Sequence, residues 1–215
     1  MLNKKRGWLS TLINGIPSGI LLCIGCAVSM SAETKIIGAF LFSLGLFIII
    51  QFGLGLFTGK AGYIATNPPS YVGEVALTIL GNMIGTACGG TLLHITRFGN
   101  VFADKAAEIM LVKMNDNPLS MFVLAIFCGI LMYSAVEGSK RASNKGDYID
   151  ALFAAVFPVV VFIICGFNHC IADMSYFFIS GCANAHLAPL YFCMAILGNA
   201  LGCNVIPLFK KAIDR

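Results

Sequence analysis

The stretch Ala151-Leu152-Phe153-Ala154-Ala155-Val156-Phe157-Pro158-Val159-Val160-Val161-Phe162-Ile163-Ile164-Cys165 runs without a charge into Gly166-Phe167-Asn168-His169-Cys170. A long apolar run followed by a glycine, an amide and a histidine describes a membrane-spanning segment interrupted partway. An ionisable side chain at bilayer depth is costly, so it faces a cavity or a partner and marks an ion or proton path. Backbone that leaves the helix is tolerated in hydrocarbon only where it is buried or lines a pore. His169 is therefore expected on a route across the membrane. The competing reading is a histidine hydrogen-bonded between helices as packing glue.

Composition agrees with a membrane chain. Of 215 residues, 58% are hydrophobic and 11% charged, and the mean hydropathy is +0.87. Soluble domains carry about 25% charged residues, so a polytopic membrane protein is expected. The longest polar stretch, residues 97–117, is too short for a soluble domain, and the net charge of +4 does not suggest nucleic acid. Nine cysteines lie mostly in apolar segments, with no paired extramembrane spacing that would mark a disulfide framework. Cys23 and Cys26 share one apolar helix, where free cysteines act as small hydrophobes. The basic start, Lys4-Lys5-Arg6, precedes an apolar run too long for a signal peptide and lacks a clear cleavage site, so it reads as an uncleaved first helix.

About 20 apolar residues cross the hydrocarbon as a helix. Six segments qualify, at roughly 8–30, 36–66, 71–95, 118–137, 150–182 and 186–209. The second and fifth are too long for one plain crossing. Both are interrupted, the second at Gly53-Leu54-Gly55-Leu56-Phe57-Thr58-Gly59-Lys60 and the fifth around His169. Lys4, Lys5, Arg6, Lys140, Arg141, Lys145, Lys210, Lys211 and Arg215 fall on one side, against Lys35, Arg97, Lys105 and Lys113 on the other. Basic excess marks the cytoplasmic side, so both termini are expected there.

The two halves resemble each other. Gly19-Ile20-Leu21 recurs as Gly129-Ile130-Leu131, and Phe57-Thr58-Gly59 aligns with Phe167-Asn168-His169, both at an offset of 110. Ile79-Leu80-Gly81-Asn82-x-x-Gly85 recurs as Ile196-Leu197-Gly198-Asn199-x-x-Gly202 at an offset of 117. Three helices per half make the second half enter from the opposite face. The expectation is one domain over 1–215 built from inverted repeats at about 8–95 and 118–209. Broken helices at matching places in such repeats point to a substrate site near the midplane.

Leu56-Phe57-Thr58, Gly166-Phe167-Asn168-His169 and Gly198-Asn199-Ala200-Leu201-Gly202, in this order and on these segments, resemble the formate/nitrite transporter family. The likeness covers nearly the whole chain. It implies an all-α, aquaporin-like fold of six helices with the second and fifth broken, assembled as a homopentamer with a pore in each protomer. It implies transport of small monovalent anions or their acids, namely formate, nitrite, hydrosulfide, acetate or lactate. No enzyme activity, cofactor or metal is implied. The resemblance also implies a bacterial inner (plasma) membrane location, with lipid around the protein. It places an outer apolar constriction at Phe42, Leu46 and Leu56, with Phe162 beside the histidine and Val136 near the cytoplasmic mouth.

Four positions depart from the family pattern. Asn168 stands where the family has glutamate, Gly55 where a glutamate precedes Leu56, and Asp173 where an asparagine follows the histidine. The basic residue that opens the family's fourth helix falls on Asn117, with Lys113 one turn earlier.

The chemistry expected of the pore follows from the cost of a bare ion in low dielectric. A neutral acid avoids most of that cost, and a histidine that ionises near neutrality can protonate or polarise a passing anion. Thr58 is expected at the same level, with Asn199 orienting the ring or satisfying loop backbone. Lys60 either attracts anions or pairs with a carboxylate such as Glu74. Asp173 either stabilises a charged His169 or caps the resumed helix. Glu74 and Glu137 are expected to face water, and His94 and His186 to be ordinary boundary residues. The rivals are a neutral small-solute channel, a membrane-embedded metal or redox enzyme, and a scaffold with no transport of its own.

Overall fold

The protein, described here over residues 7–214 of a computed structural model, is all-helical with no strand among those residues. Lys4, Lys5, Arg6 and Arg215, counted above in the charge asymmetry, lie outside the described residues. Helices α1 (Trp8–Ser31), α4 (Tyr71–His94), α6 (Pro118–Asn144), α7 (Tyr148–Cys165) and α9 (Ala188–Ile213) are long and apolar enough to cross a membrane. Two shorter apolar helices, α2 (Lys35–Gln51) and α8 (Cys170–Ile179), accompany them. The short α3 (Phe57–Ala61) and a 3-10 turn (Ile64–Thr66) follow α2, and α5 (Gly99–Met114) lies between the halves.

The ends of α2 and α7 are built alike. Gly53 and Gly166 adopt φ +60° and +70°, a left-handed geometry open to glycine without strain. Each glycine N–H bonds back three residues, to Ile50 O and Ile163 O, and the next N–H bonds back five, Leu54 to Ile49 O and Phe167 to Phe162 O. This double bond pattern satisfies carbonyls that a helix end would otherwise leave bare. In a bilayer no water is present to do so.

The chain then turns and helix resumes at Phe57 and at Cys170. The hydrogen bonds align Gly53 with Gly166 and Phe57 with Cys170, an offset of 113. That corrects the offset of 110 expected from Phe57-Thr58-Gly59 against Phe167-Asn168-His169. The helix-ending glycine and the bond pattern set the register, whereas a phenylalanine in both segments only mimics it.

Helix α1 packs on α4 and α6 on α9, at points where backbone meets backbone. A Cβ placed on Gly19 would lie 2.6 Å from the Thr86 nitrogen, and one on Gly129 would lie 2.9 Å from the Cys203 nitrogen. Small residues at such crossings let membrane helices approach closely. The outer surface carries large apolar side chains, among them Phe40, Phe157 and Leu197, as a lipid or protein neighbour requires.

Helix α5 was not expected; residues 97–117 read as a polar stretch. Its buried residues Phe102, Ala106, Met110 and Met114 recur every fourth position, one apolar stripe on an otherwise charged helix. That stripe packs against α8. Asn117 caps α6 by accepting from the Ser120 N–H at 2.9 Å, with Pro118 in the first turn.

Candidate functional site

The linkers before α3 and α8 are held by two asparagines in equivalent ways. Asn82 accepts from the Phe57 N–H at 2.8 Å and donates to Gly15 O at 2.8 Å and Gly55 O at 2.7 Å. Asn199 accepts from the Cys170 N–H and donates to Ala125 O and Asn168 O, all at 2.8 Å. Both amides are fully buried. Each uses its carbonyl and both its N–H groups on backbone, so neither has a donor left for a ring or a solute. Asn199 thus satisfies loop backbone and does not orient His169. Asn82 matched the repeat motif, but its clamp could be found only through that symmetry.

These clamps bring Thr58, on the first turn of α3, against His169, which immediately precedes α8. Thr58 Oγ1 and His169 Nε2 are 3.2 Å apart. His169 Nδ1 accepts from the Ala172 N–H at 3.1 Å, capping α8. A nitrogen that accepts must keep its lone pair, so the neutral ring carries its proton on Nε2 and donates to Thr58. The Thr58 hydroxyl hydrogen is then free to donate elsewhere. Both residues are buried, at 0% and 2% exposure.

Phe162 lies beside the imidazole with ring centroids 5.5 Å apart. Phe42 meets Phe162 edge-on at 5.9 Å. Leu46 and Leu56 are buried in the same apolar cluster, and Leu56 directly precedes α3. Val136, on α6, is buried; its methyls would lie 3.5 and 3.8 Å from a Cβ built on Gly59.

Both lysines near the two linkers, Lys60 and Lys113, are paired with carboxylates. Lys60 pairs with Glu74, so it is not a free cation. Asp173 does not face His169: Oδ1 meets Lys113 Nζ at 2.8 Å and Oδ2 accepts from the Tyr191 hydroxyl at 2.6 Å. The expectation that Asp173 stabilises a charged imidazole or caps α8 is corrected, since α8 is capped by the histidine itself. Lys113 also donates to Phe167 O at 3.2 Å and Asn168 Oδ1 at 3.3 Å, while Asn168 Nδ2 donates to Met121 O at 3.1 Å. Lys113, not Asn117, is therefore the cation that reaches the linker. Tyr191 carried no sequence signal beyond its place on the buried face of α9.

Glu137 does not simply face water. It accepts from the Tyr63 hydroxyl at 2.7 Å and from Arg141 Nε at 2.6 Å. Nearby, Asn204 accepts from the Ala65 N–H at 3.0 Å and donates to Ala61 O at 2.8 Å, tying the segment after α3 to α9. His94 contacts Ile179 O at 3.1 Å, and His186 is exposed on a loop. All nine cysteines are free. Cys23 donates to Thr86 O, Cys26 to Ala172 O and Cys203 to Thr58 O, as thiols packed between helices do. Among the described residues no group of three side chains is placed to hold a metal ion.

A family model described as formate/nitrite transporter matches residues 2–209. Formate channel FocB of Escherichia coli K12 is 24% identical over 190 residues, covering 79% of this chain and 66% of the relative. Formate channel FocA of Haemophilus influenzae is 24% identical over 197 residues, covering 80% and 66%. The chain thus spans about 66% of the length of these curated relatives. A solved pentameric formate channel with formate bound superposes with a TM-score of 0.76 at 24% identity, over 96% of this chain and 97% of that one. An FNT family ion channel superposes with a TM-score of 0.77 at 17% identity, over 97% and 89%. These two likenesses show a shared fold.

Proposed function

Because the chain belongs to the formate/nitrite transporter family, we propose that it is a transmembrane channel or proton-coupled carrier for small monovalent anions or their acids, with formate as the leading substrate. The observation that carries this reading is the contact between His169 Nε2 and Thr58 Oγ1 at 3.2 Å, buried where the starts of α3 and α8 meet. Two hydrogen-bond donors converge there, the ring N–H and the threonine hydroxyl. Helix starts carry partial positive charge and attract anions. Phe42 and Phe162 keep the level dry, which favours a solute that crosses uncharged or hydrogen-bonded.

The sequence of events follows from those groups. A solute oxygen displaces the Thr58–His169 bond, accepts from both donors, and leaves past the apolar side chains on the other side. A second proton on the imidazole would have to enter at Nδ1 and would cost the cap on α8. The ring therefore works first as an Nε2–H donor and polarises the solute. Leu46, Leu56 and Val136 form apolar walls along the route. Asn168, Asn199 and Lys60 shape it through the linker, the clamp and the pair with Glu74.

Six crossings make up the architecture in this reading. Helices α1, α4, α6 and α9 are four, α2 with α3 is the fifth and α7 with α8 the sixth, in two inverted repeats forming a single domain. The matching glycine turns and asparagine clamps support it. Both termini are cytoplasmic and the membrane is the bacterial inner membrane, as the basic loop around Lys140, Arg141 and Lys145 suggests. A homopentamer, the assembly named for the solved formate channel, fits the apolar outer surface. The direct test is flux into proteoliposomes of formate, nitrite, hydrosulfide, acetate and lactate at two pH values. Saturable entry of at least one of them above protein-free vesicles is expected, and none above background refutes the proposal.

A further inference from the structure

The buried cation of Lys113 bears on which form of the solute is selected, an inference that rests on the transport reading above. The Lys113 ammonium has three N–H donors, and three acceptors take them. Asp173 Oδ1 lies at 2.8 Å, Phe167 O at 3.2 Å and Asn168 Oδ1 at 3.3 Å. The carboxylate is completed by the Tyr191 hydroxyl at 2.6 Å. The lysine side chain is 15% exposed and that of Asp173 is 2% exposed. No donor and no net charge is left for an approaching anion.

Two departures from the family pattern meet on this one nitrogen. Asn168 replaces a glutamate and Asp173 replaces an asparagine, and both touch Lys113 Nζ. The motif thus carries its single carboxylate at Asp173 on α8 and an amide, Asn168, in the linker beside His169. A buried lysine that loses its carboxylate is strongly destabilised, which explains why the two changes occur together.

We infer that Asp173 is a specificity-determining residue: by occupying Lys113 it leaves the approach to His169 neutral, so the chain selects its substrate as an uncharged acid. Asp173 acts through Lys113 and is a positioning residue. Its removal uncovers a positive charge beside the linker and turns the site toward anions.

The test uses the full chain in proteoliposomes at one fixed pH, with formate uptake measured with and without an imposed membrane potential. The wild type is expected to take up formate independently of the potential. Asp173→Asn is expected to lower half-saturating formate on the order of tenfold, as one uncompensated charge about 12 Å from an anion does at an effective dielectric of about 20, and to make uptake potential-dependent. Asn168→Glu combined with Asp173→Asn returns a carboxylate to Lys113 and is expected to restore both properties. Thermal unfolding of the same proteins is a second readout: Asp173→Asn melts lower and the double variant recovers.

A folded Asp173→Asn protein with wild-type half-saturation and potential-independent uptake overturns the inference. So does a double variant no better than the single one in flux and in melting. Potential-driven uptake by the wild type also overturns it. No formate uptake by the wild type refutes the transport reading and the charge selection with it, while recovery of melting still decides the exchange of carboxylates.

Discussion

Asn199→Ala tests whether the break before α8 is held from outside. The amide is fully buried and makes three hydrogen bonds, to the Cys170 N–H, Ala125 O and Asn168 O. Ala125 O lies within α6 and keeps its helical partner, so its loss costs little. Cys170 N–H and Asn168 O lie at the interruption and lose their partner outright. A buried donor or acceptor left unpaired costs about 1–3 kcal/mol. Two of them give about 2–6 kcal/mol, and the modest strength of side-chain bonds measured between membrane helices, about 0.6 kcal/mol on average, argues for the lower half. The expected loss is therefore about 2–4 kcal/mol. For a chain of this size each kcal/mol moves the melting point by about 2–4 °C, which predicts a drop of roughly 4–16 °C. Asn82→Ala removes the matching bonds to Phe57 N, Gly15 O and Gly55 O, so it should cost the same within about 1 kcal/mol. The assay is thermal unfolding in mild detergent, followed by intrinsic fluorescence and by retention of the oligomer on a sizing column. An Asn199→Ala protein that melts within about 2 °C of wild type would refute the clamp, because the linker would then be satisfied without it.

Four further outcomes are expected. His169→Asn keeps a side chain suited to cap α8 and an amide that can still hydrogen-bond a solute; it should fold and keep part of the formate flux in the proteoliposome assay. His169→Phe removes the Nε2–H donor 3.2 Å from Thr58 and should abolish flux without dissociating the assembly, as read by native mass spectrometry. Gly19→Ala and Gly129→Ala would drive a methyl against the backbone at Thr86 and Cys203 and should each cost about 1–3 kcal/mol. Gly73→Ala, with nothing within 4 Å, should be neutral or stabilising by up to about 1 kcal/mol; equal melting points for all three variants would count against backbone contact at those crossings.

The apolar runs were legible because a bilayer imposes a local, one-dimensional rule: each backbone group must be satisfied along its own helix, over a length set by the hydrocarbon. The glycine-bearing interruptions at Gly53 and Gly166, the repeated Gly-Asn-x-x-Gly, and the histidine with its threonine partner all follow from that rule and from symmetry. Asn82 and Asn199 announce a repeat in sequence, but that they clamp linkers depends on which carbonyls α1 and α6 bring alongside. Helix α5 stayed hidden because its stripe of Phe102, Ala106, Met110 and Met114 is diluted by charge and is buried only once α8 packs on it. The register of the repeats, 113 and not 110, was decided by hydrogen bonds between segments. Above all, the sequence contains Lys60, Lys113, Glu74, Glu137 and Asp173 without saying who pairs with whom. Such pairing is set over a few ångströms by side chains from helices far apart in the chain, and only the packed structure turned Asp173 away from His169 and onto Lys113.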